Sequence, residues 1–223
     1  MSELVTDTLT KTSAGQFNFE DPNQKTIDRY NRHADEYTMH TIPVMEESSS
    51  IMREWIDMAL ACVTLGDTIF EIGSAVPRDS RYMKSKGYHV ICSDATENFV
   101  KTLRANGEPA VLFNVLEDHF PGTYPMIFAN GVFPHFTEPE THTAFRNIHR
   151  ALSPNGILAF SVKQGHGEEW ITEKLNEPVF AHYWNHADIV AALEQEGFSV
   201  EYTSANQGEY PSHRWLNLIA RKA

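Results

Sequence analysis

Three features of this sequence stand where chemistry could be done: an acid, a glycine turn and a histidine. Glu71-Ile-Gly-Ser-Ala-Val-Pro-Arg-Asp79 follows an apolar run, and Asp94 closes the next such run, 21 residues after Gly73. A glycine turn that opens a helix presents free N–H groups and a positive dipole end to a ligand. An acid at the end of the following strand can accept hydrogen bonds from both hydroxyls of a ribose. Strand, turn, helix, strand and acid together point to a nucleoside-bearing ligand. His135 follows a later apolar run, and an imidazole ordinarily titrates near neutrality, which suits proton transfer. Further on, Gln164-Gly-His-Gly-Glu-Glu-Trp170 precedes the aromatic cluster Phe180, His182, Tyr183 and Trp184. Aromatic faces of this kind also suit cationic ligands. His182 and His186 are four apart, and His135, His142 and His149 recur every seven residues. Neither set carries the Cys or Glu partners of a zinc site, so no metal is expected. No Cys/His or Ser/His pattern points to covalent catalysis.

Rigid elements must hold these groups. From Gly66 the pattern predicts strands over residues 67–72, 88–93, 110–114, 125–130, 156–162, 198–203 and 214–220. Helical periodicity separates most of them: residues 74–86 with Gly87 at the C-cap, 96–106, 138–152 and 188–196. Strands alternating with helices imply βαβ units and a doubly wound, mostly parallel sheet. The last two strands have only a loop between them, which predicts an antiparallel pair. The expected fold is therefore α/β and Rossmann-like, with seven strands and an antiparallel C-terminal pair. Residues 1–22 are polar and read as a flexible arm. From Asn23, Ile27, Tyr30, Ala34 and Tyr37 recur at helical spacing, and Pro43 is expected to open a second helix striped by Ile51, Trp55, Met58 and Ala59. Residues 23–62 then form an N-terminal helical lid on a core of 66–223, one domain over 23–223.

The 223 residues are 41% hydrophobic and 22% charged, close to ordinary globular usage, which excludes a disordered chain, a collagen and a coiled coil. The formal net charge of −12 offers no electrostatic footprint for nucleic acid or anionic lipid. No apolar run approaches the roughly 18 residues that span a bilayer. The start, Met1-Ser-Glu-Leu4, lacks a signal peptide's basic and apolar segments. Cys62 and Cys92 are expected as reduced, buried thiols, and the chain as a cytoplasmic protein.

From Thr26 to its C-terminus the chain resembles the class I S-adenosylmethionine-dependent methyltransferases, in their broad small-molecule branch. Thr26-Ile-Asp-Arg-Tyr-Asn-Arg-His-Ala-Asp-Glu-Tyr37 is similar to that branch's first helix. Glu71-Ile-Gly73 resembles its acidic, glycine-rich first motif, and Ser93-Asp-Ala-Thr-Glu-Asn98 its ribose motif. Ala129-Asn-Gly-Val-Phe-Pro-His-Phe136 resembles the fourth-strand motif. His149-Arg-Ala-Leu-Ser-Pro-Asn-Gly156 with Phe160-Ser-Val-Lys163 resembles the helix, turn and strand that follow. Ala75 and Pro77 stand where the first motif normally has two further glycines, and a proline there removes an N–H and fixes φ.

The resemblance implies S-adenosylmethionine as cofactor and a small-molecule acceptor methylated at O, N or S. It places Glu71, Gly73 and Asn130 by the methionine portion, Asp94 on the ribose, and Ala95, Asn114 and Val115 around the adenine. Tyr37 would touch or cover the cofactor. Arg78 is read chiefly as a solvated first-turn side chain that could also reach the cofactor carboxylate, and Asp79 as favouring its helix N-terminus. His135 is the candidate general base. Tyr30, His166, Glu169, Tyr183 and Trp184 are the expected acceptor walls. Methyl transfer is an in-line displacement, so positioning dominates, and a base helps only if the acceptor loses a proton. The competing readings are a non-catalytic cofactor-binding or partner module and a tRNA-nucleoside methyltransferase, which the net charge disfavours. An NAD-dependent oxidoreductase would need a Gly-x-Gly-x-x-Gly that is absent. Acceptor specificity is expected in the arm and in the 164–183 and 205–212 loops. Oligomeric state has no sequence signal.

Overall fold

Successive side chains of a strand face opposite sides of its sheet, so a strand buried at neighbouring positions must be covered on both faces. β1 (Thr68–Ile72) meets this condition: Ile69 and Phe70 are adjacent and both are 0% exposed. Ile69 packs with Trp55, Met83 and Val90 on one side of the sheet. Phe70 packs with Phe113, Tyr124 and Phe145 on the other. The computed structural model describes residues 21–47, 50–172, 177–207 and 214–223; of the side chains at 40 and 42–52 nothing is described. The expected arm thus lies outside the described residues up to position 20, as does most of the 205–212 loop.

β1 sits centrally. β2 (His89–Asp94) and β3 (Ala110–Leu112) extend the sheet to one side, and β4 (Tyr124–Ala129) and β5 (Leu152–Gln164) to the other, all parallel. β9 (Arg214–Lys222) runs antiparallel beside β5, and β8 (Phe198–Gln207) antiparallel beside β9. The mixed, mostly parallel sheet with its antiparallel end pair is as the sequence predicts. The strand order reverses between β1 and β4, the place where open parallel sheets bind ligands. The connecting helices are α4 (Arg78–Ser85), α5 (Glu97–Ala105), α6 (Glu138–Ala151) and α7 (His186–Gln195).

Among the described residues the sheet has nine strands rather than seven. β6 (Gly167–Ile171) and β7 (Val179–Trp184) form an antiparallel hairpin, and β7 joins β5 in parallel at Lys163 and Gln164. Since β9 already pairs Lys163 with Trp215 on one edge of β5, β7 takes the other edge, which β4 vacates at Ala129. β6 is an edge strand whose first three residues are exposed, so it has none of the burial alternation that marks a strand in sequence.

The N-terminal segment folds as α1 (Pro22–Arg32), α2 (Ala34–Glu47) and α3 (Ser50–Leu60). Pro43 lies inside α2 instead of opening a helix; the first break falls at His33, the C-cap of α1. On α3, Trp55, Ile56, Ala59 and Leu60 are buried, whereas Met58 is exposed, so the buried stripe is displaced from the expected one. α1 starts on Asp21, whose side chain accepts from the Gln24 amide at 2.9 Å, with Pro22 next. The buried face of α1 is polar, made of Asn23, Thr26 and Arg29, which suits a cover over a polar site better than packing on an apolar core. Cys92 is buried and Cys62 half-buried, both as free thiols. No helix among the described residues is long and apolar enough to cross a membrane.

Candidate active site

β1 ends in a turn that only glycine can make. Gly73 has φ +70°, and a Cβ there would lie 2.4 Å from Val132 Cγ2. The Ser74 amide donates to the Ser93 carbonyl at 2.8 Å and ties the turn to β2. Ala75 sits at φ +38°, a left-handed conformation that alanine adopts only when its surroundings impose it. Its amide donates to Asp94 Oδ2 at 3.0 Å, and the Thr96 amide donates to Oδ1 at 2.8 Å. The Asp94 carboxylate is thus aimed by two backbone amides from two different loops. Burial nonetheless dominates and raises its pKa to about 6, with the amide bonds pulling the other way.

Glu71 corrects the sequence reading. It lies 4% exposed behind the turn, where the Ser74 hydroxyl donates to its Oε2 at 2.5 Å. Ile72 and Gly73 line the cavity in front of the turn, and Glu71 does not. Burial, reinforced by the nearby Asp79 charge, pushes its carboxyl up to about 8. A carboxyl whose folded pKa is raised favours folding below its unfolded value, and that advantage fades as pH rises towards the folded value. Stability should therefore fall between about pH 4.5 and about pH 8. In Glu71→Gln this contribution should vanish, leaving a flatter profile and a higher melting temperature than wild type at pH 8. Parallel melting curves for the two proteins would cancel the assignment.

In front of the turn, one cavity is bounded by the carboxyl ends of β1, β2 and β4 and roofed by α1. Gly73, Asp94, Ala95, Asn114, Val115 and Asn130 line it together with Tyr30, Tyr37 and His135. Asn114 donates through Nδ2 to Asn23 Oδ1 of α1 at 3.1 Å and accepts from the Leu116 amide at 3.1 Å. Asn130 donates through Nδ2 to Asp79 Oδ2 at 2.9 Å and accepts from the Ser161 hydroxyl at 2.8 Å. Arg78 grips the same Asp79 carboxylate with two bonds, Nε to Oδ1 at 2.6 Å and Nη2 to Oδ2 at 2.7 Å. Arg78 is therefore not a solvated side chain, and Asp79 does more than favour its helix end.

His135 closes a short 3₁₀ turn, Phe133–His135, braced by the Thr137–Glu140 capping box that opens α6. Its Nδ1 lies 2.8 Å from the Phe180 carbonyl of β7. A carbonyl only accepts, so Nδ1 carries the hydrogen and Nε2 presents its lone pair. The Tyr30 hydroxyl, 3.1 Å away, donates to that lone pair. The result is a line from phenol to imidazole to main-chain carbonyl, with the tautomer set by β7.

Four expected acceptor walls lie outside the cavity lining. His166 and Glu169 are exposed at the β6–β7 hairpin. The Tyr183 hydroxyl donates to Glu169, and the Lys163 ammonium lies 5.4 Å from the centre of the Tyr183 ring. Trp184 is 3% exposed, stacked on His182 at 4.6 Å and packed into the core beneath α6 and α7. The hairpin accounts for this: once β7 is a sheet strand, the Trp184 ring is directed into the core. The cavity instead takes Asn23, Thr26, Phe99 and Val132, which were not expected. Asn23, Thr26 and Tyr30 stand three and four residues apart, a polar stripe at helical spacing that was readable in the sequence. Thr26 Oγ1 accepts from the Phe180 amide at 3.2 Å and fixes α1 against β7.

Comparison with known proteins agrees with this geometry. A family model described as a methyltransferase domain matches residues 70–160. Comparison with curated protein sequences gives no match. Among solved structures, magnesium protoporphyrin IX methyltransferase from Synechocystis, with bound S-adenosylmethionine, is 15% identical and superposes with a TM-score of 0.72, covering 92% of this chain and 99% of its own. The 1,6-didemethyltoxoflavin-N1-methyltransferase of Burkholderia thailandensis, with its didemethyl ligand and S-adenosylhomocysteine, is 16% identical with a TM-score of 0.71, covering 92% of each chain. An N-methyltransferase of Bradyrhizobium japonicum in complex with S-adenosylhomocysteine is 14% identical with a TM-score of 0.64, covering 91% of this chain and 99% of its own. A methyltransferase-domain model thus matches residues 70–160, and the chain has the fold of the S-adenosylmethionine-dependent methyltransferases it superposes on.

Proposed function

We propose that this domain transfers the methyl group of S-adenosylmethionine to the oxygen or nitrogen of a small, uncharged aromatic or heteroaromatic acceptor whose attacking atom carries a proton. The observation that carries this reading is the Tyr30–His135 hydrogen bond inside the cavity that also holds Asp94. The cofactor fits the residues present: a glycine cradle that a Cβ would fill lies beside a carboxylate aimed by two amides. Asp94 takes the ribose hydroxyls, Ala95 and Val115 flank the base, and Asn114 meets its edge. Gly73, Asn130 and Tyr37 border the amino-acid end. Once bound, the cofactor supplies an electrophilic methyl on a sulfonium, open to in-line displacement.

The chain's own part is to hold the acceptor and move one proton. Tyr30 oxygen accepts the proton of the acceptor O–H or N–H while its own hydroxyl proton passes to His135 Nε2. The Phe180 carbonyl, bonded to Nδ1–H, favours the imidazolium that results. Tyr30, Tyr37 and Phe99 offer aromatic faces, and among the described residues no lysine or arginine lines the cavity, which supports an acceptor without carboxylate or phosphate. The net charge of −12 and the free thiols support a small molecule in a reducing compartment such as the cytoplasm, and the α1 contacts support residues 23–223 acting as one unit. A panel of neutral phenols, ring N–H heterocycles, thiols, carboxylic acids and transfer RNA, incubated with methyl-labelled cofactor, tests the reading. Label should pass to the first two classes. Transfer to carboxylates or RNA instead, or to none of them, would overturn it.

A further inference from the structure

Resting on that reading of the cofactor, we infer that His33 is a pH-sensitive latch, which holds α1 closed over the bound ligand and frees it when the imidazole loses its proton. α1 covers the cavity with Asn23, Thr26, Ile27 and Tyr30. Its buried face is polar, so little apolar surface resists its lifting. Polar links hold it instead. Asn23 meets Asn114, Thr26 the Phe180 amide and Tyr30 His135. Asn31 meets Asn98 of α5 through two bonds, of 3.0 and 2.8 Å. Neutral bonds of this kind exchange for bonds to water at modest net cost.

A charged link gathers on Glu177, two residues ahead of β7. Its Oε2 accepts from Arg32 Nη2 at 2.7 Å and lies 3.9 Å from Arg29 Nε. The Arg29 guanidinium rests over the Trp170 ring of β6, 5.1 Å from its centre. Glu177 Oε1 is 3.1 Å from His33 Nε2, and His33 Nδ1 is 3.1 Å from Glu36 Oε2 of α2. Both ring nitrogens of His33 therefore face carboxylates, which when ionised only accept. A neutral imidazole has one N–H and sets a lone pair against the second carboxylate, whereas the imidazolium donates to both. Among the described residues, the charges facing His33 are Glu36 and Glu177, with Arg32 and Arg29 on the same Glu177 carboxylate. The bonds to Glu177 and then Glu36 hold the His33 pKa above its ordinary 6.5. His33 is the C-cap of α1, so its bond to Glu177 ties the corner of the roof to the segment leading into β7. Closure is then favoured at and below about pH 6.5 and weakens as pH rises through the raised value. The sign is opposite to that of Asp94, whose ionisation strengthens ligand binding as pH rises.

The test measures release, not turnover. Radiolabelled S-adenosylhomocysteine is bound to the protein and chased with excess unlabelled compound between pH 6 and 9. Release from wild type should quicken by about 3–10-fold across that range, the effect of one half-exposed charged hydrogen bond. His33→Gln, neutral at every pH, should release quickly throughout; His33→Lys, charged through most of the range, should release slowly throughout. Either variant alone suffices should the other not fold. The His33 imidazole, followed by nuclear magnetic resonance, should titrate above 6.5 and move back towards it in Glu177→Gln. A release rate that ignores pH in wild type, or that keeps the wild-type pH dependence in both His33 variants, would overturn the latch and leave the cofactor assignment intact. A wild-type protein that does not bind S-adenosylhomocysteine would refute the cofactor assignment, and this inference with it.

Discussion

Replacement of His135 by alanine should lower turnover by about 10²–10⁴-fold, the usual share of a positioned base, while S-adenosylhomocysteine binds as it does to wild type. The expectation follows from where His135 sits. It shares the cavity with Asp94, yet its ring nitrogens bond to Tyr30 and to the Phe180 carbonyl, away from the Gly73 turn. His135 also anchors β7, so alanine alone would confound catalysis with structure. His135→Gln separates the two, because its amide can donate to Phe180 and accept from Tyr30 but cannot take up a proton. The glutamine variant should melt like wild type and remain as slow as alanine. Tyr30→Phe should fall between wild type and the His135 variants, since the acceptor loses its nearest oxygen while the ring still packs against Tyr37 and Phe99. Wild-type turnover in the glutamine variant would return His135 to a structural role.

Asp94→Asn should weaken binding of S-adenosylhomocysteine by about 1–3 kcal/mol, read by calorimetry at neutral pH. The substitution removes the charge that two ribose hydroxyls would meet and turns an amide N–H₂ towards the Ala75 or Thr96 amide that now donates to the carboxylate. The pH dependence carries a definite sign. Burial raises the Asp94 pKa from 3.8 to about 6, so its contribution to folding is greatest below about pH 4 and is lost as pH rises through about 6. Ligand binding runs the other way, because the hydroxyls need the ionised form. Affinity should fall as pH drops below about 6 in wild type and stay level in Asp94→Asn. The fold thus gives up some stability at neutral pH to keep a carboxylate where a ligand can use it. An unchanged dissociation constant in the variant would remove Asp94 from the site.

The parts of this site that lie close together in sequence were legible there. Gly73 and Asp94 are joined by a single strand–helix–strand unit, and the apolar runs around them read as buried strands. What was hidden depends on packing. Tyr30 and His135 are 105 residues apart, and only the docking of α1 on β7 through Thr26 and Phe180 brings them into contact. Glu71 was misplaced because its burial behind the turn, where the Ser74 hydroxyl donates to it, is a matter of packing. The β6–β7 hairpin was missed because Gly165 and Gly167 interrupt it and its edge strand is exposed, and with it went four acceptor walls, Trp184 above all. Pro43 misled because a proline that usually starts a helix here lies within one.

The central claim, that the cavity before Gly73 and Asp94 is an S-adenosyl cofactor site, is tested most directly by calorimetric titration of the purified protein. S-Adenosylmethionine, S-adenosylhomocysteine and NAD are compared under one set of conditions. Micromolar binding of both adenosyl compounds, with one site per chain and no response to NAD, is the predicted result. Binding of NAD, or of none of the three, would contradict it.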